Sequence, residues 1–385
     1  RWRYRRGRGI ERIDGHYVST HPAAICTQRK RTCSPTPCPA WATGPGIYHY
    51  APKEHALERR SLIDPSTWSR LLEPFPRGAM LIGLTSIPWR ESWKYGERAY
   101  RDCQHDAGHA VAALRIAAAI LGLLPRVSDQ QIEKLLGLDR ADAWHTREPE
   151  LPDALAVIVP SHDYFEAESY QPSDDAIEAA KSAQWMGHAN RLSQEHHAWP
   201  VIAQVERACR KPVGWPVGWR GVSVAKVRNI KQATDRVTAA QIVRQRRSAL
   251  AMDGTTSVSV DQLYNTLTRV MPDMTPIPWD AQPWPTCVHL VLFVHRVDDL
   301  LPGLYVLVRS SEDKSALRRA MKADFQWLKP AGCPNDLPFY RLGEADVRQT
   351  AVMVNCNQSI AGDSAFSLGM LARFEPILRE HGAFL

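Results

Sequence analysis

The sequence predicts a layered α/β or α+β architecture, with strands and intervening helices in two modules. Short apolar runs that fit buried strands alternate with stretches of helical periodicity. A strand pattern that begins Gly46-Ile47-Tyr48 occurs again at Gly303-Leu304-Tyr305. A chain of 385 residues can hold two ordinary domains, so the repeated pattern favours a degenerate internal repeat of one fold.

The chain divides into four predicted segments. Residues 1–43 are predicted to be disordered or translated out of frame. Residues 44–160 are the first module and residues 246–385 are the second. Residues 161–245 are a helical connector between them. The net charge of +7 lies within residues 1–31, which hold nine basic and two acidic side chains. The remaining chain is neutral overall, so the charge does not favour nucleic-acid binding by the modules.

Residues 1–43 have neither helical nor strand periodicity, and three of the eight cysteines fall there. Ile25 to Lys30 can be encoded by a DNA sequence that, when its reading frame is shifted by one base, encodes Leu-His-Pro-Thr-Glu instead. The same slip extended back to about Asp14 permits a Pro-Ser-Ser-Gly loop. We hypothesise a wrong-frame translation of a first half-domain, and the alternative is a natural basic disordered tail.

The first module is organised around the stretch from Trp93 to Leu124. Its polar, aromatic-rich entry leads into an apolar run, Ala110 to Leu124, that predicts a buried helix ended by Gly122 and Pro125. The run contains Arg115 and is shorter than the roughly 20 residues of a membrane span, so no membrane partner is predicted.

Other elements follow from local signals. Ser128 and Gln131 form a capping-box pattern that opens a helix to Leu136, where Gly137 stops it. Predicted strands are Ile47 to Tyr50, Ala79 to Thr85, Leu155 to Val159, Val288 to Val294 and Gly303 to Val308. Helices are predicted from about Ala351 and from Ser359 to Phe374.

Cysteine and histidine usage gives no metal site. Cys103, His105 and His109 lie close together, with the histidines four apart on one helical face, but no third strong ligand has recognisable spacing. A packed or hydrogen-bonded histidine pair is the favoured interpretation. The cysteines show no CxxC pair and no apolar leader precedes the domain, so we expect free thiols and a cytoplasmic location.

Two motifs resemble the SagB-type branch of the nitroreductase superfamily, which contains the FMN-dependent azoline dehydrogenases. They are Lys94-Tyr95-Gly96-x-Arg98-x-Tyr100-Arg101 before Gly108-His109-Ala110, and Gly46-Ile47-Tyr48-His49-Tyr50 upstream. The resemblance implies an α+β fold, a three-layer sheet flanked by helices, present as two incomplete modules of a tandem flavoprotein. FMN would lie between the modules of an intrachain pseudo-dimer or between the protomers of a homodimer.

The same resemblance assigns roles to seven residues. Lys94 and Tyr95 would handle the proton, provided that Arg90, Arg98 or Arg101 lowers the pKa of the lysine. Arg246, Arg247 and Ser248 would hold the FMN phosphate through charge-assisted hydrogen bonds, and Asn357 and Gln358 would contact the flavin ring. A solvated helix face for the arginines and a helix cap for the amides are the alternatives.

The sequence therefore predicts an FMN-dependent oxidoreductase of the nitroreductase or azoline dehydrogenase type. The hydride would come from NAD(P)H or directly from a substrate such as an azoline, and the substrate is a small molecule or a peptide. A non-catalytic scaffold or partner-binding module is the alternative, because two expected flavin contacts fall in the anomalous N-terminal segment and beyond Leu385.

Overall fold

The structure, a computed structural model, forms a mixed α+β fold in two compact units, residues 1–217 and 218–383. It describes residues 45–51, 56–118, 120–140, 148–159, 167–190, 194–214, 237–274 and 277–383, and the backbone of 20–26. The predicted α+β class is confirmed.

Strands and helices are numbered in chain order. The strands are β1 Thr20–Cys26, β2 Gly46–Ala51, β3 Ala56–Leu62, β4 Met80–Ser86, β5 Ile120–Leu123, β6 Leu151–Val159, β7 Gln184–Trp185, β8 Val258–Ser259, β9 Val288–Val294, β10 Val297–Asp298, β11 Gly303–Leu307, β12 Phe339–Glu344 and β13 Phe366–Ala372. The helices are α1 Pro65–Leu72, α2 Pro88–Tyr95, α3 Ala99–Ala117, α4 Asp129–Leu136, α5 Asp174–Lys181, α6 Pro200–Cys209, α7 Ala239–Gln245, α8 Val260–Arg269, α9 Lys314–Ala320, α10 Arg348–Val354, α11 Ile360–Asp363 and α12 Phe374–His381.

The first unit is built on a seven-stranded antiparallel sheet in the order β5-β6-β4-β1-β2-β3-β7. One face packs on α1, α4 and α5, which together form the main core. Gly83 of β4 faces α4 closely, since a Cβ there would lie 2.6 Å from Leu136. Helix α3 contacts β1, β4, β5 and β6 through residues outside that core. It therefore covers the opposite face and completes three layers.

The strand β1 lies inside the segment that the sequence predicts to be disordered. It pairs with both β2 and β4, so it occupies an interior position of the sheet. The expectation of disorder is wrong for these seven residues, because pairing on both edges fixes a segment with weak local signals. The rest of 1–43, and with it the proposed loop, lies outside the described residues.

The predicted helix from Ala110 to Leu124 is also wrong in its second half. Helix α3 begins earlier, at Ala99, and ends at Ala117, and Ile120–Leu123 form β5 beside β6. Gly122 is where β5 passes a neighbour closely, since a Cβ there would lie 2.0 Å from that of Ala167. A short apolar run fits helix and strand equally well, and here pairing with β6 decides.

Several local predictions are confirmed. Helix α4 has the capping box between Ser128 and Gln131 and ends at Gly137 in a left-handed conformation (φ 71°). The predicted strands correspond to β2, β4, β6, β9 and β11. Helix α5, within the stretch predicted as a connector, contributes Ile177 to the core of the first unit.

The second unit contains a four-stranded antiparallel sheet in the order β12-β11-β9-β13. Helix α8 packs Leu263, Tyr264 and Leu267 into its core. The predicted helix from Ser359 to Phe374 is wrong. Helix α11 covers only its first turn and α12 begins only at Phe374, and between them lies β13, because Phe366–Ala372 pairs along its whole length with β9.

Candidate functional site

Lys94 and Tyr95 form the last turn of α2. Gly96 ends the helix with φ 58°, a conformation that favours glycine. Lys94 is exposed and Tyr95 is half-buried, and the lysine Nζ lies 5.0 Å from the centre of the tyrosine ring. The chain therefore places an ammonium group and a phenol side by side at a helix end that is open to solvent.

The pKa of Lys94 is raised, not lowered. A hydrogen bond with Tyr95 is the main cause, and the nearby Glu91 adds to it. The expected lowering by a neighbouring arginine is therefore wrong. Arg90 is buried and bound to Glu148 at 3.0 Å, so its charge is compensated. Lys94 is therefore protonated at neutral pH and is not available there as a free base.

Aromatic side chains lie along α2, from its first turn to the turn that follows it. Trp89 stacks on His196, with ring centres 5.2 Å apart, and meets Trp93 edge to face at 5.4 Å. Its Nε1 donates to the carbonyl of His197 at 3.2 Å. Trp199 lies over Gly96, where a Cβ would come within 3.3 Å of its ring. Flat apolar surfaces of this kind suit a planar ligand.

A second group of polar residues forms what we call the acidic cleft. It encloses about 10 Å³, room for about one water molecule. Its lining residues are Ser86, Pro88, Tyr100, Gln104, Asp129, Leu151, Pro152, Asp153, Glu206 and Arg210. Pro88 begins α2, so the cleft lies at one end of that helix, and Lys94 and Tyr95 stand at the other.

Asp153 is the central carboxyl group of the acidic cleft. The Ser86 hydroxyl donates to it at 2.5 Å and the Gln104 amide at 3.2 Å. Glu150, three residues before it, accepts from the Thr85 hydroxyl at 2.5 Å. Burial raises the pKa of each carboxyl to about 7, against the opposing effect of these hydrogen bonds. Both groups therefore exchange protons near neutral pH.

The cleft is bordered by further groups with shifted pKa values. Burial raises the pKa of Asp129, whose carboxylate accepts from the backbone of Lys211 at 2.9 Å, and lowers that of Lys211 itself. Burial also raises the pKa of Tyr100, which is hydrogen-bonded to Cys209. Arg210 binds Glu133 and Glu206 at 2.5 and 2.8 Å.

Sequence reasoning did not identify the acidic cleft. Its members come from β4, α2, α3, α4, the start of β6 and the end of α6, so no local spacing connects them. The one available signal is that Glu150 and Asp153 directly precede the apolar run of β6. A carboxylate at the start of a buried strand is a candidate for a shifted pKa, but the direction of the shift needs the burial.

The predicted FMN-binding residues lie in the second unit. Arg246, Arg247 and Ser248 are exposed in the segment that follows α7, and no carboxylate partner is seen for the arginines among the described residues. Two guanidinium groups and a hydroxyl are a donor set that fits a phosphate. Asn357 and Gln358 are exposed in the turn after α10, and Asn357 has φ 58°. No hydrogen bond between the two segments is seen among the described residues.

The residues considered for a metal are dispersed. Cys103 is buried, whereas His105 and His109 are exposed, and His109 Nδ1 lies 2.9 Å from the carbonyl of His105. In the part of the chain that the structure describes, no group of three His, Cys, Asp or Glu side chains is arranged to hold an ion. None of the helices described there combines the length and apolar character that crossing a membrane requires.

Comparison with known proteins supports the fold. No protein-family model and no curated protein matches this sequence. Among solved structures, the chain is similar to a protein from Anabaena variabilis described as a "putative nitroreductase". The likeness covers 95% of this chain and 68% of the other, with a TM-score of 0.56 and 15% sequence identity. The chain therefore has a nitroreductase-like fold.

Proposed function

We propose that this chain is an FMN-dependent oxidoreductase of the nitroreductase type. The observation that carries the proposal is the fold likeness over 95% of the chain. The exposed Arg246, Arg247 and Ser248 are the residues that would hold the FMN phosphate, with Asn357 and Gln358 as candidates for the ring. Bound FMN would supply hydride chemistry, with NAD(P)H as the electron donor.

The proton chemistry of Lys94 favours one direction of reaction. Lys94 is protonated at neutral pH, so its ammonium group can serve reduction, in which the substrate gains a proton after hydride, and cannot act there as a free base. Removal of a proton, as in azoline oxidation, would need a lowered pKa. We therefore favour a reductase acting on a planar small molecule or peptide group, which the rings of Trp93 and Trp199 would contact.

The second candidate is a non-catalytic scaffold or partner-binding module. The exposure of Lys94 favours it, because a proton-transferring lysine in an active site is usually desolvated. In that case the aromatic surface around α2 would bind a partner. Flavin binding separates the two candidates.

The test is an FMN titration of the purified chain, followed by quenching of flavin fluorescence. We expect saturable binding that weakens at least tenfold in the double variant Arg246→Ala/Arg247→Ala. Arg318→Ala/Arg319→Ala is the matched control, because it removes two consecutive exposed arginines from α9. Riboflavin, which lacks the phosphate, should bind wild type and both variants equally.

Two results would contradict the proposal. Absence of quenching at any FMN concentration would favour the scaffold. Equal losses in the two double variants would show that general positive charge, and not the Arg246-Arg247 pair, attracts the phosphate.

A further inference from the structure

Four strands of each unit share one topology. In the first unit the order β4-β1-β2-β3 is antiparallel throughout, and in the second unit β13-β9-β11-β12 has the same order and the same sense. Two strands of the first unit also have the same length as their counterparts in the second. Strands β1 and β9 have seven residues each, and so do β4 and β13.

The pairing registers agree residue by residue. Gly46 lies opposite Leu62, and Gly303 opposite Glu344. One residue later both strand pairs contain a bulge, between Ile47 and Tyr48 and between Leu304 and Tyr305. After the bulge Tyr48 pairs with Arg59, and Tyr305 pairs with Arg341.

The two glycines are needed for the same reason. A Cβ on Gly46 would lie 2.4 Å from the carbonyl oxygen of Ser61, and one on Gly303 would lie 2.2 Å from that of Gly343. A bulge with a glycine against the neighbouring backbone at the same register position is a specific coincidence. Strand by strand, β13 is therefore the counterpart of β4.

The two counterparts differ in what lies beside them. In the first unit β6 pairs with the outer edge of β4. In the second unit β13 is the last strand of its sheet among the described residues. The open edge follows from this strand order, because side chains point across the faces of a sheet and not along its edge. On the sheet face, Ile82 and Leu84 of β4 are 5% and 1% exposed, and their counterparts Leu368 and Met370 are 46% and 63% exposed.

Backbone directions show which groups of β13 are open. His295 N donates to the carbonyl of Ala365, and in an antiparallel ladder alternate residues point to the same side. Ser367 and Gly369 therefore bond to β9, while the amide groups of Leu368 and Met370 point away from it. Their counterparts in the first unit are Ile82 and Leu84 of β4. These two residues lie opposite Ala156 and Ala154 of β6.

We propose that the open edge of β13 binds an extended apolar peptide strand with the chemistry of β6, in antiparallel sense. The segment Phe366–Ala372 carries no charge and no proline, the two devices that usually protect an edge. The other outer strand, β12, carries Arg341 and Glu344 and is protected in this way. Strand addition would bury the amides of Leu368 and Met370 as β6 buries those of β4.

The experiment uses the wild-type chain and a synthetic peptide with the sequence of Ala154 to Val159, flanked by lysines for solubility. Residue-resolved amide exchange is measured with and without the peptide. We expect exchange at Leu368 and Met370 to slow at least tenfold at saturation. Ser367 and Gly369 should not change, since their amides already bond to β9.

Two modified peptides make the test specific. N-methylation at Ala156 removes an amide on the side that faces β4 in the chain, so it should abolish protection. N-methylation at Val157 alters the side that faces β5 and should preserve it. Unchanged exchange at millimolar peptide would overturn the proposal. So would slowing produced by raising the protein concentration alone, which would show that a second copy covers the edge.

Discussion

Asp153 and Glu150 make the stability of the first unit depend on pH. Their pKa values are about 7 in the folded chain and 3.8 and 4.5 as ordinary values. The unfolded chain therefore loses these protons at lower pH than the folded chain does, and the free energy of unfolding falls as pH rises from about 4 to about 7. A carboxyl group ionised at pH 8 opposes folding.

The first prediction is that Asp153→Asn is more stable than wild type at pH 8, by on the order of 2 kcal/mol after allowance for partial exposure. At pH 4 most of this difference should disappear, because the folded carboxyl is then protonated and the unfolded one is only partly ionised. Urea unfolding at the two pH values measures this. Asp324→Asn, an exposed change in the other unit, is the control, and an equal gain there would contradict the prediction.

The second prediction concerns the pair at the end of α2. Tyr95→Phe removes the phenol that raises the pKa of Lys94, so that pKa should fall. The ¹³Cε resonance of Lys94, followed through an alkaline titration and assigned with Lys94→Arg, reports it directly. If the chain is a reductase, the pH above which its turnover rate declines should fall together with the pKa of Lys94. An unchanged titration would show that the hydrogen bond is not made in solution.

Three capping boxes allow a prediction at the level of helices. They are Ser128 with Gln131 in α4, Thr238 with Gln241 in α7 and Ser259 with Gln262 in α8. Ser128 is fully buried, and the Gln131 amide also binds Asp174 at 2.5 Å. The exposed boxes have water as a substitute partner, so their loss should cost less.

The third prediction is therefore graded. Ser128→Ala should lower the free energy of unfolding by about 2 kcal/mol, Ser259→Ala by about 1 kcal/mol, and Thr238→Ala by less than either. Chemical unfolding of the three variants under one condition measures the order. Equal decreases in the free energy of unfolding would show that burial of the capping residue does not determine how much the cap stabilises its helix.

Helices and strands differed in how well local signals predicted them. Helix α4 carries its start and stop signals in its own residues, and the prediction was confirmed to the residue. The runs at Ile120–Leu123 and Phe366–Ala372 carry none, and pairing with β6 and β9 made them strands. Apolar runs without caps follow the partner that is available, and sequence alone does not show that partner.

At the level of the whole molecule, each unit has its own core. Leu135 is fully buried among α4, α5 and β6 residues, and Leu292 is fully buried among α8, β11 and β12 residues. The fourth prediction is that Leu135→Ala and Leu292→Ala each cost about 2–5 kcal/mol, but in different units. Hydrogen exchange should rise in β4 and β6 for the first variant and in β9 and β11 for the second. A rise in both units from one variant would contradict separate cores.

The sequence by itself determined the α+β class, the strands β2, β4, β6, β9 and β11, the capped helix α4, and the resemblance that identified the fold. These features depend on periodicity and on signals within a few residues of each other. Tertiary structure decided that β1 lies inside a sheet, that β5 and β13 are strands, and that Lys94 keeps its proton. It also assembled the acidic cleft. The physical reason is that pairing partners, burial and neighbouring charges come from residues far apart in the chain, and they set both the conformation of ambiguous segments and the pKa of their side chains.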